Sequence, residues 1–149
     1  MIKVTSIAAA VLAVACSPAV FAADLLVTQA DASNKSGRVS VSLDIASSGE
    51  VSGFQFILRG EGEMKPGSVD TSKCLADLPK GFSGGCRQNA DGIYFFALAS
   101  SKATLPSGIV SLGTLSLPAE LAKTQFVVDQ LEMINAEAEV ISSSNQVVR

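Results

Sequence analysis

With 149 residues, no His, and 14 acidic against 11 basic residues for a net charge of −3, the sequence excludes several functions at the outset. A Ser-His-Asp or Cys-His catalytic arrangement has no His to use, and bases scattered singly over an acidic chain make a poor nucleic-acid surface. The length suits one domain with one core.

The chain opens MIKVTSIAAAVLAVACSPAVFAAD, in which Lys3 is a short basic region, Val4 to Ala15 an apolar run, and Val20-Phe21-Ala22 a small-residue cleavage site. This is the pattern of a bacterial secretory signal peptide over residues 1–22, cut between Ala22 and Ala23. The run is too short for a helix of roughly 20 residues to span a bilayer, and no other stretch is long enough, so no stable membrane span is expected. The mature protein is expected to be exported to the periplasm or the extracellular space. A second pattern competes: Leu12-Ala13-Val14-Ala15-Cys16 loosely resembles the lipobox before an acylated Cys, which would anchor the protein at Cys16.

Residues 23–149 then read as a single domain. Asp24 to Thr28 is a short first strand, followed by the turn-rich DASNKSG. Arg38 to Ile45 alternates strictly, with Val39, Val41, Leu43 and Ile45 inward and Arg38, Ser40, Ser42 and Asp44 outward, the pattern of a half-buried strand. Beyond a Ser-Ser-Gly-Glu turn, Gly53 to Gly60 sends Phe54, Phe56 and Leu58 one way and Gln55, Ile57 and Arg59 the other.

From Glu61 to Asn89 the signals are those of loop: Glu-Gly-Glu, Lys-Pro-Gly and Ser-Gly-Gly, with one short strand around Ser68 to Asp70. This segment holds Cys74 and Cys86, the two cysteines that remain once Cys16 leaves with the leader. In an oxidising compartment they are expected to form one structural disulfide, closing a loop of about a dozen residues. Two cysteines without His make a poor zinc site, and their spacing is too long for a redox CxxC pair.

Asn89-Ala90-Asp91-Gly92 reads as a turn that delivers the chain into Gly92 to Ala99. There Ile93, Phe95, Ala97 and Ala99 occupy one side and Tyr94, Phe96 and Leu98 the other, which predicts a central strand with neither side fully wet. In the next run the phase switches at Gly113, between Val110 and Leu112 on one parity and Leu115 and Leu117 on the other, as at a bulge. Pro118 to Lys123 suits one helical turn, Thr124 to Ile134 a strand, and Ala138 to Ser142 a last short one before the polar tail SSSNQVVR. The fold class is therefore all-β: an antiparallel, jelly-roll-like β-sandwich of about seven to nine strands.

Two stretches carry a family resemblance. RVSVSLDIASSGEVSGFQFIL, and NADGIYFFALAS followed by SGIVSLGTLSLP, resemble the strand order of cohesin domains, which share a superfamily of β-sandwiches with cellulose-binding modules. The resemblance covers Leu25 to Ile141. It implies a secreted, non-catalytic module recognising a protein partner, dockerin-like or an envelope protein, with a link to polysaccharide catabolism.

No enzyme is expected from the residues themselves. The nearest carboxylate pairs, Glu61 with Glu63 and Glu137 with Glu139, read as solubilising charges, and the scattered acids give no metal site and call for no cofactor. The candidate binding face is Gln55, Arg59 and Tyr94. Two alternatives stay open: a carbohydrate-binding module that stacks sugars on exposed aromatics such as Tyr94, although Trp is absent and the Phe residues read as core, and an accessory subunit of a surface or pilus assembly joined by strand addition.

Overall fold

The computed structural model describes residues 24–29, 37–61 and 64–148, with side chains described over 37–61 and 64–141. The leader, Cys16, and the Ala22/Ala23 junction lie outside the described residues. Among the described residues, eight strands and one 3-10 turn follow in order: β1 (Asp24–Gln29), β2 (Arg38–Ser47), β3 (Gly53–Gly60), β4 (Phe82–Asn89), β5 (Gly92–Ala99), β6 (Gly108–Pro118), the turn Ala119–Leu121, β7 (Phe126–Ile134) and β8 (Val140–Val148). They form a three-stranded sheet, β1-β2-β6, and a five-stranded sheet, β4-β5-β3-β7-β8, antiparallel throughout. The chain is an all-β sandwich.

Strand alternation builds the core. Val39, Val41, Leu43 and Ile45 of β2 are buried, as are Val110, Leu112, Leu115 and Leu117 of β6. Two residues two apart on a strand share a face, so β6 can bury both parities only by slipping its register midway. It does so opposite Leu43 and Asp44, whose partners are Gly113 and Ser111. From the other sheet come Phe54, Phe56 and Leu58 of β3, Ile93, Phe95 and Ala97 of β5, and Phe126, Val128, Leu131 and Met133 of β7. The Phe56 ring stacks on Phe95, 4.4 Å between centroids and 12° between planes.

The segment expected to be mostly loop differs in three ways. The short strand around Ser68 to Asp70 is a single bridge, Asp70 to Ser116, from which residues 70–77 run along the free edge of β6. Ser116 N donates to Asp70 O, Thr114 N to Lys73 O, and Asp77 N to Leu112 O. This close pass explains Gly113: at φ 149°, a Cβ there would lie 2.2 Å from Lys73 O. The second difference is β4 itself, whose sequence FSGGCRQN lacks any apolar alternation. Pairing with β5 along its whole length makes it a strand, and its glycines permit the approach, since a Cβ on Gly84 would meet the Phe96 carbonyl.

The third concerns what the disulfide joins. The Cys74–Cys86 bond forms, with Cα atoms 6.5 Å apart. It ties the segment lying on the edge of β6 to β4, and so clamps one sheet to the other along that flank of the sandwich. At the far end of the chain, the last strand is longer than the expected Ala138 to Ser142: the polar tail continues as β8, paired with β7 from Phe126↔Val148 to Ile134↔Val140.

Candidate functional site

Because inward residues of β3, β5 and β7 fill the core, their alternate residues form the outer face of the five-stranded sheet. Register sets this face out in cross-strand rows: Leu98–Gly53–Ile134, Phe96–Gln55–Glu132, and Tyr94–Ile57–Asp129. The side of β5 expected to be covered is open. Tyr94, Phe96 and Leu98 are 36%, 56% and 54% exposed, a continuous apolar stripe along one strand. The expectation that the Phe residues are core therefore fails at Phe96, while Phe54, Phe56, Phe95 and Phe126 are buried. Among the described residues no second layer covers this side; alternation alone could not reveal that.

The three residues singled out from sequence all fall on this face. Gln55 is exposed at its centre, between Phe96 and Glu132. Tyr94 stands one row away, registered with Ile57, which is only 3% exposed between Tyr94 and Asp129. Arg59 is half-buried, and its Nε, which has no hydrogen-bond partner, lies 3.0 Å from Asp129 Oδ2. Such a partly exposed pair adds about 1 kcal/mol or less to stability, but it neutralises both charges on the face. Asp129 reaches Arg59 at a bulge: the β3–β7 register slips between Gln55 and Ile57, where Gln130 takes φ 51°. The extra residue re-aims the strand.

Sequence reasoning missed Phe96, Leu98, Glu132 and Ile134. These four, with Phe54 and Gln55, line a shallow groove of about 370 Å³. Leu98 and Ile134 lean together over Gly53, where a Cβ would lie 2.6 Å from Leu98 Cδ2 and 3.0 Å from Ile134 Cγ1, so a side chain there would push the two walls apart. The parity of Phe96 and Leu98 with Tyr94 was the available signal.

A second hollow, about 310 Å³, lies over the other sheet between Arg38, Asp70, Ser72, Lys73 and Ser116. Several of its polar groups are committed to the fold. Arg38 Nε donates to Ser116 Oγ at 2.8 Å, and Nη2 to Ser116 O at 2.6 Å and Ser68 O at 3.2 Å. The Ser72 backbone N–H, donating to Asp70 Oδ1 at 2.9 Å, does most to hold the Asp70 carboxyl below its ordinary range, with the Ser72 side chain, Arg38 and Lys73 adding to it. These contacts fasten residues 68–73 to β2 and β6.

Among the described residues, no group of three or more Cys, Asp or Glu is placed to hold a metal, and no helix is long and apolar enough to cross a membrane. What remains is an open sheet face with an apolar stripe and a groove at one end, an arrangement suited to binding.

No family model and no curated sequence matches the chain. Solved structures do. A cohesin module from a family 33 glycoside hydrolase of Clostridium perfringens superposes with a TM-score of 0.53 at 7% identity, over 84% of this chain and 95% of that one. A chain of the type II cohesin–X-dockerin complex of Acetivibrio cellulolyticus superposes with a TM-score of 0.52 at 12% identity, over 82% and 92%. At such identities the likeness is one of backbone architecture, and it extends over most of the domain: this chain has a cohesin-like fold.

Proposed function

We propose that this protein is an exported, non-catalytic recognition module that docks a protein partner on the outer face of its five-stranded sheet. The observation that carries the proposal is the open apolar stripe Tyr94–Phe96–Leu98, set on a strand hydrogen-bonded on both edges. Contiguous apolar surface on a rigid scaffold is costly to leave in water and is the usual mark of an interaction site. Export rests on the leader of residues 1–22. The cohesin-like fold supports a partner of dockerin type, since one similar structure is of a cohesin–dockerin complex. The link to polysaccharide catabolism rests on the other, a module of a glycoside hydrolase.

Carbohydrate binding is the second reading, favoured by the exposure of two aromatic rings, Tyr94 and Phe96, on one flat face. The experiment compares retention of the mature protein on cellulose, chitin and xylan with capture of a partner from the organism's secretome, followed by reconstitution with that partner purified. Wild type, Gln55→Ala/Arg59→Ala, Tyr94→Ala and Phe96→Asp are run side by side. Expected is a reconstituted complex weakened by the double variant and by Phe96→Asp, with no polysaccharide retained. Retention on a polysaccharide, abolished by Tyr94→Ala in a variant that still folds, would establish the carbohydrate reading instead.

A further inference from the structure

The groove at one end of the face carries a charge that the fold leaves unanswered. Asp129 is neutralised by Arg59, yet among the described residues no hydrogen bond or ion pair engages Glu132 three positions further along β7. Its carboxylate stands half-buried at the rim of an otherwise apolar groove, beside the Gln55 amide and facing Phe96 across β3. A carboxylate beside apolar side chains and without a partner of its own is placed to pair with an incoming cation.

We infer that this groove receives a basic side chain, Arg or Lys, of the partner polypeptide, with its aliphatic stem between Leu98, Phe96 and Ile134 and its cation on Glu132. The inference rests on the proposed docking of a protein on this face and names the chemistry that docking selects. The fit follows from the parts: a groove of about 370 Å³ with apolar walls and one anionic end matches a side chain with an apolar stem and a charged head. The Gln55 carbonyl can accept a second hydrogen bond from the same cation. The exposed ring of Phe96 offers its face to a guanidinium. Gly53 favours the arrangement, because a Cβ there would shift Leu98 and Ile134 from their present positions.

The test selects a phage-displayed library of random twelve-residue peptides on immobilised mature protein, then measures the selected peptides, made synthetically, by fluorescence anisotropy against wild type, Glu132→Gln, Glu132→Lys and Phe96→Asp. Glu132 points away from the core, and a thermal melt of each variant checks that folding is kept. Peptides are expected to carry an Arg or Lys next to apolar residues and to lose about tenfold to a hundredfold in affinity on Glu132→Gln, the range of a charge-assisted hydrogen bond. Exchanging that basic residue for Glu should restore binding to Glu132→Lys. Peptides that are lost on Phe96→Asp but bind Glu132→Gln as well as wild type would overturn the inference and leave the docking face standing. If no selected peptide responds to Phe96→Asp, the face itself is misassigned and the inference falls with it.

Discussion

Phe95 and Phe96 are neighbours of identical chemistry on opposite faces of β5, so truncating each in turn measures the layer structure directly. Phe95 is 2% exposed and stacked on Phe56, and Phe95→Ala removes a fully packed ring and leaves a cavity between the sheets. Such truncations cost about 3 to 5 kcal/mol, including the loss of the aromatic pair. Against a total stability of about 5 to 15 kcal/mol this is a large share, and for a domain of this size about 4 kcal/mol lowers the melting temperature by about 15 °C. Phe96 is 56% exposed and its removal opens no internal cavity. Phe96→Ala should cost about 1 kcal/mol or less, mostly through strand propensity. Urea unfolding followed by far-ultraviolet circular dichroism is the suitable assay, since the chain has no Trp and its only Tyr, Tyr94, lies beside the mutated position. Equal losses for the two variants, or a larger loss for Phe96→Ala, would refute the assignment of the outer face.

Three further outcomes are expected. Reducing Cys74–Cys86, or replacing Cys74 by Ser, should lower stability by about 3 kcal/mol while leaving the strand spectrum intact, because the bond clamps sheets that already share a core; two titratable thiols in native mature protein would show that the pair is not bridged. The Asp70 carboxyl, held low by Ser72, Arg38 and Lys73, stabilises the fold above the ordinary carboxylate range, and that contribution is lost as pH falls through its depressed value. The denaturation midpoint of Asp70→Asn should thus lie closest to wild type in acid, below the depressed value, and a gap that widens on acidification would contradict the assignment. The exported protein should have an intact mass beginning at Ala23 and carry no lipid, whereas a diacylglyceryl group on Cys16 would place it on a membrane.

Much of the fold was legible because local pattern and tertiary role coincide. The alternation of β2 gives its buried face residue by residue, and Gly113 marks the slip of β6 because two parities of Leu and Val must both reach one core. β4 was illegible for the opposite reason. FSGGCRQN has no apolar face of its own, and it is a strand through its ladder with β5 and the approach that Gly84 allows. The polar continuation of β8 beyond Ser142 was missed in the same way, since its pairing with β7 is invisible in composition. On the candidate site, Gln55, Arg59 and Tyr94 could be placed on one face by parity. Phe96 and Leu98 could not be read as exposed, because an apolar stripe awaiting a partner and one covered by a second layer have the same sequence. Glu132 enters the groove through the register of β3 and β7 across a bulge, which no local pattern announces.

The claim that recognition occurs on the five-stranded sheet is tested most directly by two exposed apolar residues on opposite sides of the sandwich. Phe96 lies on that face, whereas Ile109, 72% exposed on β6, points outward from the three-stranded sheet. Calorimetric titration of the purified partner into Phe96→Asp should show affinity reduced by at least about thirtyfold, the loss typical of a central interface residue, and titration into Ile109→Asp should match wild type. Wild-type affinity in Phe96→Asp together with a loss in Ile109→Asp would move the interface to the other sheet and contradict the account.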